Sequence, residues 1–97
     1  MAYGIRFTSL AKHHLQKISV GERALIVERI EKQLSHEPMV ETRNRKRLRP
    51  NPVAPWELRV GHFRVFYDVE ESEIVTVLAI GLKQGSQLHI EGKEIEL

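Results

Sequence analysis

The stretch WELRVGHFRVFYDV, Trp56 to Val69, carries two arginines placed where chemistry on an anion would need them. It reads as two short strands joined by Gly61-His62. A two-residue loop fixes the register of a hairpin, and glycine at the first loop position suits a type II′ turn, in which φ is positive. Val60 then faces Phe63, Arg59 faces Arg64, Leu58 faces Val65, Glu57 faces Phe66 and Trp56 faces Tyr67. Side chains alternate along a strand. Trp56, Leu58, Val60, Phe63, Val65 and Tyr67 therefore make a core face, and Glu57, Arg59, Arg64, Phe66 and Asp68 the other. Arg59 and Arg64 lie directly opposite each other, an arrangement that destabilises a sheet. At about 5 Å their repulsion is about 1 kcal/mol in water and about 3 near a protein surface. An anion between them would offset that repulsion, and the guanidinium fork suits phosphate. The bland alternative is that Glu57, Asp68 or the acidic C-terminus neutralises the pair.

A second basic feature lies upstream. Residues 43–49, RNRKRLR, hold five positive charges in seven positions, although the net charge is only +2. Alone, such a run is a solvated loop. Beside the arginine pair it resembles the electrostatic footprint of a nucleic-acid binder, with Arg45, Lys46, Arg47 and Arg49 as RNA contacts. Phe66 is a candidate for stacking on a base, or for packing beneath the sheet. The last seven residues, EGKEIEL, set three Glu against one Lys, so the chain is basic in its middle and acidic at its end. There is no cysteine, hence no disulfide framework and no thiolate chemistry. Adjacent His13 and His14 point apart on a helix, with His14 near the buried stripe, and no histidine pair has metal-ligand spacing. Only His89 invites a functional reading.

The elements that must hold these residues follow from periodicity. Ile5 to Phe7 predicts a short strand. Thr8 or Ser9 caps a helix carrying Ala11, Leu15 and Ile18. Ser19-Val20-Gly21-Glu22 reads as a capping box, with Ser19 and Glu22 serving each other's backbone N–H groups. The helix after it places Ala24, Val27, Ile30 and Leu34 on one stripe and stops near His36, because Pro38 disfavours a helical Glu37. Residues 39–55 read as an irregular loop with Pro50, Pro52 and Pro55. After the arginine hairpin, Glu70-Glu71-Ser72 makes a turn. IVTVLAI at 74–80 reads as a strand buried on both faces. Leu88 to Leu97 alternates weakly, as a last strand or a tail.

A chain of 97 residues allows one domain with a single modest core. The start MAYGIRFTSL lacks the apolar region of a signal peptide, and no apolar run approaches about 18 residues. The expectation is one cytoplasmic domain over 1–97 with no membrane contact.

The helical hairpin, KRLRP, WELRVGHFRVFYDV, and a strand ending in Ile80-Gly81-Leu82-Lys83 together resemble the RelE/ParE superfamily of toxins from bacterial toxin–antitoxin operons, from Tyr3 to about Ile90. The resemblance implies an α+β fold. A small, twisted, antiparallel-rich sheet carries the N-terminal helical hairpin on one face and a basic concave surface on the other. It also implies a cognate antitoxin as partner, with operator DNA reached only through it, no cofactor and no metal. RelE-type members cut mRNA on the ribosome by attack of the ribose 2′-OH on the adjacent phosphate. Such chemistry needs a base, a cation for the charge developing on phosphorus, and an acid for the leaving oxygen. By resemblance Arg64 inherits phosphate stabilisation, while Arg59 and Lys83 keep the charge of basic family positions. His89 falls near the family's C-terminal tyrosine or histidine. Glu57 stands where RelE has a lysine and is a candidate base. The alternatives are a ParE-like inhibitor of DNA gyrase, or a catalytically weak relative acting with its antitoxin as a co-repressor.

Overall fold

Two caps set the helices. In the computed structural model, which describes residues 2–97, Thr8 accepts from the Ala11 N–H and opens α1 (Ser9–Gln16). Ser19 accepts from the Glu22 N–H and opens α2 (Val20–Leu34). The capping box is half formed, since the Glu22 carboxylate takes the Ser19 hydroxyl rather than its backbone N–H. α2 buries Ile26, Ile30 and Leu34, whereas Ala24 is exposed. The true stripe is thus rotated from the expected one, toward the larger apolar side chains that the sheet can bury. α2 ends at Leu34, and Glu37, ahead of Pro38, adopts φ +49°.

Among the described residues seven strands make one sheet: β1 (Gly4–Phe7), β2 (Arg45–Arg47), β3 (Trp56–Val60), β4 (Phe63–Glu70), β5 (Ile74–Gln84), β6 (Gln87–Ile90) and β7 (Lys93–Ile95). The order is β2-β3-β4-β5-β6-β7, all antiparallel, with β1 added parallel to the first half of β5. Two expectations change here. The basic run is not wholly loop, because Arg45–Arg47 pair with Trp56–Leu58. The C-terminal stretch is a hairpin whose turn, Glu91-Gly92, has φ of +53° and +78°, as in a type I′ turn.

The main core lies between the helices and one sheet face. Ala11, Leu15, Ile26, Ile30 and Leu34 meet Trp56, Leu58, Val60, Val65, Tyr67, Val75, Val77 and Ile80. Tyr67 donates to the Pro38 carbonyl at 2.7 Å, and burial pushes its phenol well above the usual range. A bulge after Phe66, where Ala79 and then Val77 are the partners, lets both Val77 and Ile80 face this core. A smaller cluster forms on the opposite face. Phe66, Ala79, Ala54 and Leu88 pack there with Leu48, Val53, Ile90, Ile95 and Leu97. Gly81 sits under this cover: a Cβ there would lie 3.0 Å from the His89 carbonyl oxygen.

β1 and β6 leave a gap along β5, and α1 fills it. His14 Nδ1 accepts from the Ile80 N–H at 3.1 Å, with His14 only 5% exposed. Burial lowers its pKa from the ordinary 6.5, although Glu91 opposes the shift. A neutral imidazole is therefore part of the fold. Above pH 6.5 both folded and unfolded states carry it uncharged. As pH falls below that value the unfolded chain binds a proton that the native state does not, so stability drops until the folded pKa is passed. The slope is at most about 1.4 kcal/mol per pH unit. Urea titrations at several pH values should show this loss, and His14→Gln, an acceptor that does not titrate, should flatten it.

Candidate nucleic-acid interface

The register places Arg59 opposite Arg64, on the sheet face turned away from the helices. Glu57 lies on the same face of β3, and Lys83, two residues beyond Gly81, the partner of Arg64, lies on the same face of β5. Glu57, Arg59 and Lys83 line one open cavity of about 430 Å³, with Lys46, Arg49 and Leu97 at its sides. Lys46 reaches it because its register partner is Glu57. The arginine pair, Glu57, Lys83, Lys46 and Arg49 are thus brought together by four neighbouring strands, β2 to β5, and the segment after β2.

Glu57 is 8% exposed and its carboxylate lies 3.8 Å from Arg59 Nε. The carboxylate therefore does part of what an anion would do, as the bland alternative held. Arg64 is turned toward the hairpin tip. Its Nη1 donates to the carbonyls of Gly61 and Phe63, both at 2.9 Å. Its Nε is buried without a partner among the described residues. Burial lowers the guanidinium pKa, Glu57 opposes this and Arg59 adds to it. A desolvated guanidinium with a donor to spare, beside a second cation, is suited to an incoming phosphate oxygen. At the cavity wall Arg49 donates to the Leu97 carbonyl at 2.9 Å.

Three expected site residues stand elsewhere. His89 pairs with Leu82, which pairs with Phe63, so its side chain leaves on the helical face, across the sheet from the arginines. Phe66 is on the arginine face but 0% exposed within the second apolar cluster, so it offers no ring to a base. Arg45 pairs with Leu58 on the helical side and donates to the carbonyls of Val40 (3.0 Å) and Gln33 (2.6 Å), tying β2 to the end of α2. Arg47 lays its guanidinium over the Trp56 ring at 5.6 Å. Of the basic run, Lys46, Arg47 and Arg49 line the cavity beside the cluster. Leu97, which sequence reasoning did not single out, walls the cavity, and no local signal marks it.

The chain matches the model of the ParE toxin of type II toxin–antitoxin system, parDE, over residues 5–84. It belongs to that family and is a toxin of a type II toxin–antitoxin system. A chain from the crystal structure of the toxin–antitoxin complex RelBE2 of Mycobacterium tuberculosis is similar in structure and sequence. The TM-score is 0.73 and the identity 28%, over 86% of this chain and 100% of that one. No curated protein sequence matches the chain. The fold is that of the RelE/ParE superfamily. Among the described residues no helix is long and apolar enough to cross a membrane.

Proposed function

We propose that this toxin is a ribosome-dependent mRNA endoribonuclease that inhibits translation. The observation that carries the reading is the cluster of Arg59, Arg64 and Lys83 around one carboxylate, Glu57, on an open face. In the proposed reaction the scissile phosphate takes the place of Glu57 on Arg59. The freed carboxylate accepts the 2′-OH proton as the oxygen attacks phosphorus. Arg59 and Arg64 hold the charge that develops there. With His89 on the other face, we assign to Lys83 the donation of a proton to the leaving 5′-oxygen, and the product is a 2′,3′-cyclic phosphate. A lysine is a poor match to that step at neutral pH, so positioning of the message by the ribosome carries much of the rate.

The cognate partner is an antitoxin, in line with the complex formed by the RelBE2 relative. The match to a ParE model favours a second reading, inhibition of DNA gyrase. The two separate cleanly. Under the first, induction stops protein synthesis before DNA replication, purified toxin cuts messages on programmed ribosomes, and naked RNA is cut little. Block of gyrase supercoiling with intact messages would establish the second. Continued growth with neither effect would leave a co-repressor role.

A further inference from the structure

On the helical face, away from the arginine cluster, α1, the start of β4, β5, β6 and the β6–β7 turn line an unassigned open cavity of about 540 Å³. Ile18, Phe63 and Leu82 give it an apolar body, and His14, His89 and Glu91 a polar end. Because the Ile80 N–H donates to Nδ1 of His14, the other nitrogen, Nε2, must carry the ring proton and act as a donor. Among the described residues it is buried without a hydrogen-bond partner, and the Glu91 carboxylate stands 3.8 Å away. Glu91 lies closer to His13, at 3.4 Å, and its backbone is in the left-handed region at φ +53°. Nδ1 of His89 is likewise buried without a partner.

The fixed proton on His14 Nε2 removes the lone pair a metal would need, and among the described residues no group of His, Asp or Glu is arranged to hold one. A carboxylate ligand would meet Glu91. A hydroxyl fits, since it accepts from one group and donates to another. An aromatic ring suits the walls, and pockets of this size take small ligands with an apolar body and a few placed polar groups. We infer that this cavity is a binding site for a phenol, the ring held between Ile18, Phe63 and Leu82 and the hydroxyl accepting from His14 and donating to His89. The phenol is either a free small molecule or a tyrosine side chain of a partner.

The test uses the full chain labelled with ¹⁵N and ¹³C, titrated with p-cresol, toluene and N-acetyltyrosine amide while the ring signals of His14 and His89 are followed by NMR. We expect p-cresol to bind about tenfold or more tighter than toluene, the size of one well-made hydrogen-bond pair. It should shift both imidazoles. Binding of N-acetyltyrosine amide as well would point to a tyrosine of a partner, and its exclusion to a free phenol. His89→Phe, checked for folding by its thermal melt, should remove the preference for p-cresol while keeping toluene binding. Equal affinity for p-cresol and toluene, no binding of either, or an unchanged preference in His89→Phe would overturn the assignment.

Discussion

Arg64→Ala is expected to lower ribosome-dependent cleavage by about a hundred- to a thousandfold, the effect of losing one donor to the charge of a transition state. The free fold should change little. The variant loses two hydrogen bonds to the turn carbonyls of Gly61 and Phe63. It also loses the repulsion between two arginines directly opposed in the register, and a buried Nε with no partner. These effects oppose each other, and we expect a net change within about 1 kcal/mol. Arg64→Lys should recover only part of the rate, because an ammonium cannot reproduce the fork. Thermal unfolding and cleavage measured on the same two variants decide the matter. If Arg64→Ala melts far below the parent while its folded fraction cleaves normally, Arg64 is a structural residue and the phosphate site is elsewhere.

The largest loss of stability should come from Phe66→Ala. Its ring is 0% exposed and is the largest side chain of the cluster that holds the 48–54 segment and the β6–β7 hairpin over the arginine face. Truncating a buried phenylalanine costs about 3–5 kcal/mol in lost transfer energy and residual cavity. In a chain of this length each kcal/mol lowers Tm by about 4–8 °C, so the variant should be largely unfolded at working temperatures. Phe66→Leu, closer in volume, should lose much less. Urea unfolding of the two variants measures the difference. Were the ring instead an RNA contact, Phe66→Ala would unfold like the parent and lose only affinity for RNA.

Much of this protein was legible from sequence because it rests on short-range geometry. A glycine at the first position of a two-residue turn sets the β3–β4 register. The side-chain period of two then places Arg59 against Arg64 and Glu57 beside them. Thr8 and Ser19 mark the helix starts because a side-chain oxygen satisfies an N–H two or three residues on.

Other features depended on contacts between distant segments. The rotation of α2 that buries Ile26 rather than Ala24 was set by the sheet beneath it. Alternation correctly gave Phe66 to the arginine face. It could not show that Leu48, Val53, Leu88 and Ile95 come from both sides to cover it. His89 followed a different course. β5 continues past Ile80 to Gln84 and turns back at Gly85-Ser86, so His89 falls opposite Leu82. Lengthening that turn by a single residue would shift the register by one and bring His89 to the arginine face. Arg45 and Lys46 are neighbours of one chemical type, yet one ties β2 to α2 and the other borders the cluster. The sequence by itself determined which residues carry charge and which local turns form. Only the tertiary structure decided which charges from outside that hairpin join its face, because the face a distant strand presents is set by its partner's register and not by its own composition.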